Sequence, residues 1–319
     1  MTKLISGIHH VTAVTGDARE NFDFYTGVLG LRMVKKTVNF EDPGVYHLYF
    51  GDEDGSPGTI LTTFPYGRHL AKGRHGKGML NTTAFSIETG GLDYWLQRLD
   101  RFGIAYKNPQ ERFKGEIFVY LEDPDGLGLE LVFNEGDPRR GYTNGNIPPE
   151  WVIKGFHHVE IWLESMERTA ALLTMQMNHQ VIRETSGLVR LGVGNQPGKY
   201  IDLLAMPDVL RGLGGRGTVH HLAFATPDRE SQMVIKDNLE HYGLQITDVK
   251  DRKYFSSVYF REPGGVLFEV ATAGPGFAVD EPTDSLGQSL MLPVQFEAER
   301  ERISGLLPEL DSRSEKNWL

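Results

Sequence analysis

The sequence predicts an α+β protein of four βαβββ modules folded as two cup-shaped mixed-sheet domains. Three observations carry this: one segment layout recurs four times, each copy has a stretch with helical apolar spacing, and two register marks stay nearly constant in separation. Each copy opens with a β-like run: Ile8-His9-His10-Val11, Asn81-Thr82-Thr83-Ala84-Phe85, Phe156-His157-His158-Val159-Glu160-Ile161 and Val219-His220-His221-Leu222-Ala223-Phe224. Apolar residues at i, i+3, i+4 spacing then predict helices over Asn21–Leu29, Leu92–Phe102, Met166–Met177 and Ser231–Tyr242. Gly30, Gly103 and Gly243 stand where a left-handed residue ends a helix. Strand-like pieces follow, among them Tyr46–Phe50, Ile117–Tyr120, Leu188–Leu191 and Ser257–Phe260.

A glycine-containing turn beside proline precedes each last strand, at Gly58, Gly126, Gly198 and Gly265. Four residues past these glycines lie Thr62, Glu130, Asp202 and Glu269. The opening strands align independently on His10, Thr83, His158 and His221, and the two marks are 52, 47, 44 and 48 residues apart. Domain bounds follow: one pair of modules over 1–140, a linker over 141–152 inside the Gly-, Pro- and Asn-rich run from Asp137 to Trp151, a second pair over 153–275, and a C-terminal extension over 276–319.

At 319 residues the chain exceeds the size at which one core usually keeps growing. A formal charge of −10 and the lack of a long basic tract argue against nucleic acid or an anionic membrane as partner. The one basic run, Arg68 to His75, reads as a solvated loop ahead of a lid over an anionic or phenolic substrate. Zero cysteines exclude disulfides and thiolate metal sites, leaving imidazole, carboxylate and water as donors. The start of the chain has no apolar signal-like core and no stretch is long enough to span a bilayer, so the expected location is the cytoplasm.

The marks converge on metal chemistry. Two modules side by side direct side chains of their first and last strands into one cup, and non-haem Fe(II) enzymes that activate oxygen use two histidines and a carboxylate on one face. Module four alone supplies His221 and Glu269; the second histidine is His10 or His158, according to which modules pair. A lone His or Glu in a strand is more often a packed or solvated residue, but three His-His pairs at one repeat position and a recurring carboxylate at another favour the metal. Neighbouring strand residues point to opposite faces, so His9 and His220 are second-layer or substrate-contacting candidates, not ligands. Tyr259 on the preceding strand is a candidate hydroxyl for the same cup, with a packed core tyrosine as the alternative. His47, His69, His75, His179 and His241 fall outside both marks and read as structural or surface residues.

Pairing decides the site. Modules one and four would collect His10, Thr62, His221 and Glu269, a three-ligand site with an open face; the other cup, with Thr83, Glu130, His158 and Asp202, is poor in imidazole. Modules three and four would instead collect His158, Asp202, His221 and Glu269, a four-ligand set. Thr62, uncharged at the open position, favours the first pairing for oxygen chemistry.

The layout resembles the vicinal oxygen chelate superfamily of extradiol dioxygenases, glyoxalases and metal-dependent resistance proteins. The strings Gly7-Ile8-His9-His10-Val11-Thr12, Tyr46-His47-Leu48-Tyr49-Phe50, Gly58 to Pro65, His220-His221-Leu222-Ala223-Phe224 and Pro263 to Glu269 are similar to those of hydroquinone-type ring-cleaving dioxygenases, over nearly the whole chain. That resemblance implies an Fe(II) enzyme of extradiol type, with Mn(II) or another divalent ion as alternative metal, that opens a hydroquinone ring, plain or substituted, beside a hydroxyl using O2. It implies His10, His221 and Glu269 as ligands, with His9, His220, Tyr259 and an arginine corresponding to Arg252 about the substrate, although the stretch around Arg252 is shorter here than in well-known members. The implied partners are a small aromatic substrate and O2, with homo-oligomeric assembly left open. A glyoxalase-like isomerase or lyase is the main rival, and a drug- or metal-sequestering protein the third reading.

Overall fold

The computed structural model describes residues 4–310. Its strands fall into four modules in chain order. Module one is β1 (Gly7–Thr15), α1 (Ala18–Phe22), β2 (Arg32–Val38), β3 (Tyr46–Gly51) and β4 (Ile60–Pro65). Module two is β5 (Met79–Glu88), α2 (Leu92–Arg101), β6 (Gln110–Glu111), β7 (Ile117–Glu122) and β8 (Gly128–Asn134). Module three is β9 (Phe156–Leu163), α3 (Glu167–Gln176), β10 (Gln180–Thr185), β11 (Leu188–Gly192) and β12 (Tyr200–Ala205). Module four is β13 (Thr218–Thr226), α4 (Arg229–His241), β14 (Lys250–Asp251), β15 (Phe255–Arg261) and β16 (Leu267–Pro275).

Within a module the first strand lies parallel to the last, which leaves the first strand's other edge unpaired. Joining two such edges removes both exposed rows of backbone donors and acceptors. β1 pairs with β13, giving an eight-stranded sheet of modules one and four, and β5 pairs with β9, giving a second of modules two and three. The sequence halves drawn at 1–140 and 153–275 therefore do not coincide with the sheets, since each half contributes one module to each. The chain changes sheet after β4 and again after β12, and the two crossing segments run together: Lys72 bridges Arg216, Arg74 bridges Leu213 and Lys77 bridges Arg211. The basic run Arg68 to His75 is thus held against a neighbouring strap and does not hang over the first cup as a lid.

Local details follow the sequence marks. All four closing-turn glycines have positive φ, between +80° and +106°, where a Cβ is strained. α3 ends on Asn178 at φ 48 in place of a glycine, and its side chain exchanges two hydrogen bonds with the backbone of Ile5. The first helix is short: after five residues the coil widens into a π-helical turn over Asp23–Val28, where a continuous α-helix was expected. Residues 141–150 form no strand or helix, and Trp151 accepts the Trp95 indole N–H at 2.9 Å through its backbone carbonyl. No helix among the described residues is long and apolar enough to cross a membrane.

The C-terminal extension, described as far as Leu310, packs against module one. Met291 donates its backbone N–H to Lys36 O at 2.9 Å. Beside it Lys35, fully buried, reaches Asp280 at 2.7 Å and also pairs with Glu281. Glu281 in turn accepts from the backbone N–H groups of Gly287 and Ser289. Removing the ammonium leaves Glu281 without its cation in a poorly solvated place, while Asp280 keeps Lys253 at 2.5 Å. Lys35→Ala should lower unfolding stability by about 3–5 kcal/mol, read from denaturant midpoints, and should speed amide exchange over 280–291 more than in the second sheet.

Candidate metal centre

β1, β13 and β16 lie side by side at the middle of the first sheet. Register puts Thr12 opposite His221 and His10 opposite Ala223, while Glu269 stands beside Ala223 on the parallel strand. His10, His221 and Glu269 therefore project from three neighbouring strands to one point, all of them buried. His10 Nε2 lies 3.1 Å from His221 Nε2 and 3.3 Å from Glu269 Oε2, and His221 Nε2 lies 2.9 Å from Glu269 Oε2.

These spacings fit a metal. Donors about 2.1 Å from one ion and about 90° apart are separated by about 3 Å, the geometry of a two-His, one-carboxylate face with its other positions open. Glu269 Oε2 is buried and, close as it is to His221, makes no aligned hydrogen bond, while Oε1 accepts from Ser257 Oγ at 2.5 Å. One carboxylate oxygen is thus tied down and the other is aimed at the two imidazoles. Burial opposes the charge on Glu269, but His10 and His221 outweigh it and hold the carboxyl well below its usual range.

His9 and His220 are the unpaired residues of β-bulges in β1 and β13, and the bulges bring their rings beside those of His10 and His221. His9 Nδ1 lies 2.9 Å from His10 Nδ1, and His220 Nδ1 lies 2.8 Å from His221 Nδ1. If the ligand ring carries its proton on Nδ1 and donates it to the neighbour, Nε2 is left with a free lone pair toward the centre. Burial, with His10 adjacent, pushes His9 down to about 3, so it stays neutral and able to accept.

Above the three donors opens a cavity of about 100 Å³. That is the scale of a one-ring compound. Its walls include Phe64, Phe255, His220, Tyr259 and Arg252, with Arg252 Nε donating to the Tyr259 hydroxyl at 3.1 Å. Burial, reinforced by Glu269, raises the Tyr259 hydroxyl above its ordinary value, so it remains a phenol at neutral pH.

His47 corrects the sequence reading, which placed it among structural or surface residues. It is half-buried in the cavity wall, its Nε2 lying 2.9 Å from Thr62 Oγ1 and its Nδ1 2.9 Å from the Tyr49 hydroxyl. Thr62 Oγ1 is 2.9 Å from Thr12 Oγ1, which is 2.9 Å from His221 Nε2. A line of hydrogen-bonding groups thus runs from the donor cluster to Tyr49. Nothing in the repeat marks exposes His47, because it sits on the third strand of its module; alternation within Tyr46–Phe50 could have put its side chain on the inner face. His179 and His75 do bond backbone carbonyls, of Met177 and Gly217, as structural residues do.

The second sheet repeats the arrangement with other residues. Glu160 faces Thr82 across β9 and β5, Glu130 stands beside Ala84, and Asp202 beside Glu160. His158, Glu160, Asp202, Thr82 and Glu130 thus hold the places of His10, Thr12, Thr62, His221 and Glu269. Thr82, not Thr83, corresponds to His221, and it stands 48 residues before Glu130, as His221 does before Glu269. With no histidine to anchor module two, the alignment of opening strands slipped by one. His158 belongs to this cup and stays apart from His221 and Glu269.

Known proteins bear on this geometry. The family model described as the Glyoxalase/Bleomycin resistance protein/Dioxygenase superfamily matches residues 7–131 and 155–270. The chain is 44% identical over 309 residues to the Bacillus subtilis protein named "Putative ring-cleaving dioxygenase MhqO", covering 97% of this chain and 98% of that one. It is 33% identical over 308 residues to the chlorohydroquinone/hydroquinone 1,2-dioxygenase of Sphingobium indicum, covering 94% and 95%. A crystal structure titled "putative dioxygenase" from Bacillus subtilis superposes with a TM-score of 0.92 at 43% identity over 97% of this chain and 98% of that one. With both sheets matched by the family model and ring-cleaving relatives aligned from end to end, the chain belongs to the glyoxalase/bleomycin resistance/dioxygenase superfamily and sits among its ring-cleaving dioxygenases.

Proposed function

We propose that this protein is an Fe(II)-dependent dioxygenase that opens the ring of a hydroquinone-type substrate, plain or carrying chloro or methyl groups, beside a hydroxyl with O2. The observation that carries it is the triad His10, His221 and Glu269 under a one-ring cavity, with uncharged Thr12 and Thr62 where a carboxylate would add a fourth ligand and close the open face. The chlorohydroquinone/hydroquinone dioxygenase activity of the Sphingobium relative supplies the substrate class. In this reading the metal, when bound, lowers the pKa of a substrate hydroxyl and brings O2 and ring together for electron transfer.

The chain's own residues bind, orient and exclude water. His9 fixes the ring tautomer of His10, and Ser257 holds one oxygen of Glu269 so that the other stays directed inward. Tyr259, kept protonated by burial, donates to a substrate oxygen, and Arg252 beside it balances negative charge on a phenolate or on the ring-opened acid. His220 forms the outer wall and Phe255 the apolar floor. The rival isomerase reading needs a fourth protein ligand, and Thr62 offers none.

Metal analysis on anaerobically purified protein should give about one divalent ion per chain, falling below about a tenth in His221→Ala and Glu269→Ala with circular dichroism unchanged. His10→Ala should lose the metal and His158→Ala should keep it; the reverse would move the site to the other cup's histidine. Reconstituted with Fe(II) in air, the protein should take up about one O2 per hydroquinone and yield a ring-opened acid. Tyr259→Phe should keep the metal and lower kcat by about 10²- to 10⁴-fold. Turnover of a thiol hemiacetal without O2 uptake, and none of hydroquinones or catechols, would assign the isomerase class instead.

A further inference from the structure

Each cup carries an arginine at an equivalent position. Tyr259 faces Glu269 across β15 and β16, and two residues earlier Ser257 faces Lys250; in the second sheet Tyr120 faces Glu130, and two residues earlier Phe118 faces Gln110. Two residues beyond Lys250 and Gln110 stand Arg252 and Arg112. Their side chains part company there. Arg252 stays on the cavity wall against Tyr259, whereas Arg112 dips to the bottom of its cup.

The guanidinium of Arg112 lies among the second cup's donors. Its Nη1 lies 2.9 Å from Glu130 Oε2 and 3.0 Å from His158 Nε2, and its Nη2 lies 2.8 Å from Glu130 Oε1 and 3.2 Å from Glu160 Oε2. Its Nε is 4.0 Å from Asp202 Oδ2, and Nη1 is 3.7 Å from Glu116 Oε1. The Phe118 ring covers it at 4.4 Å, and only 9% of the side chain is exposed. His158 accepts through Nε2 while its Nδ1 lies 2.9 Å from His157 Nδ1, so it has the same ring state that His10 needs to bind an ion.

We propose that Arg112 is a built-in cation standing where the second cup would hold a metal, and that beneath it lies a latent divalent-cation site formed by His158, Glu130, Asp202 and Glu160. Around the guanidinium stand three carboxylates and one imidazole, with Glu130 and Asp202 3.5 and 3.6 Å from His158 Nε2. That donor set, rich in oxygen, suits a hard ion such as Mn(II). Arg190 is already committed to Asp202 and Glu116, and cannot replace Arg112.

The inference borrows its donor template from the metal reading of the first cup, so the test counts a difference between proteins that share that cup. Wild type, Arg112→Ala and Arg112→Ala with Glu130→Gln are dialysed against Mn(II) and counted by elemental analysis, with the bound ion followed by electron paramagnetic resonance. Arg112→Ala should hold one more Mn(II) per chain than wild type, and the added Glu130→Gln should remove it. Equal counts in wild type and a folded Arg112→Ala overturn the proposal, whereas zero in wild type and one in the variant sinks only the first-cup reading. Where Arg112→Ala is unfolded when metal-free, recovery of its circular dichroism on adding Mn(II) supports the latent site, and failure to recover with Mn(II) counts against it. Arg112→Gln, which keeps most of the stem and drops the charge, gives the same count independently.

Discussion

The backbone ladder between β1 and β13 is the constraint on which the first cup depends. It joins residues more than two hundred positions apart, and its register, Thr12 against His221, decides that His10 and His221 lean toward each other. A slip of one residue would turn every side chain of one strand to the other face and separate the two imidazoles. The need for the ladder comes from the module itself, whose first strand is bare along one edge until another module covers it. The donor cluster, cavity and sheet continuity are thus consequences of one edge-to-edge join, and β5 with β9 makes the same join for the second cup.

How the two cups neutralise buried charge separates them. In the first, a single carboxylate meets two imidazoles, and the threonines around them add no charge. The second places Glu160 and Asp202 at the positions of Thr12 and Thr62, so its interior carries three acids, and the chain supplies cations of its own from Arg112 and Arg190. Buried carboxylates without partners are costly, and a fixed guanidinium satisfies several at once with directed hydrogen bonds. A protein cation, unlike a bound ion, has no open coordination position. The second cup is therefore closed by the group that stabilises it.

Much of this was legible in the sequence because it is repeated. Glycine turns mark all four modules and His-His pairs mark three, enough to recover the modules and to narrow the candidate ligands to His221, Glu269 and either His10 or His158. Partner choice was harder, since any bare edge can in principle meet any other; Thr62 tipped it by chemistry, not by pattern. Features without a repeat stayed hidden. His47 lies off both marks, Thr82 was displaced to Thr83 for want of a histidine in module two, and the π-helical turn after Phe22 leaves no periodic signature in so short a helix. Arg112 was invisible for a different reason: only its fold-back distinguishes it from Arg252, and backbone register alone reveals that the two are counterparts.

That counterpart relation bears on why Arg252 remains at the rim. Both arginines hang from the same kind of short hairpin and both have a carboxylate within electrostatic reach, Glu269 for one and Glu130 for the other. Glu130 is met by two further acids in its cup, so a descending guanidinium gains several charge-assisted bonds. Glu269 is met by two imidazoles and an apolar ring, Phe255, that packs 5.2 Å from His10, so descent there would desolvate a cation for a single partner. Arg252 instead finds the Tyr259 hydroxyl and the Phe40 ring at the mouth. The absence of acids at Thr12 and Thr62 therefore acts twice: it leaves Glu269 as the sole carboxylate beside the two imidazoles, and it removes the attraction that would draw the protein's own cation down over them.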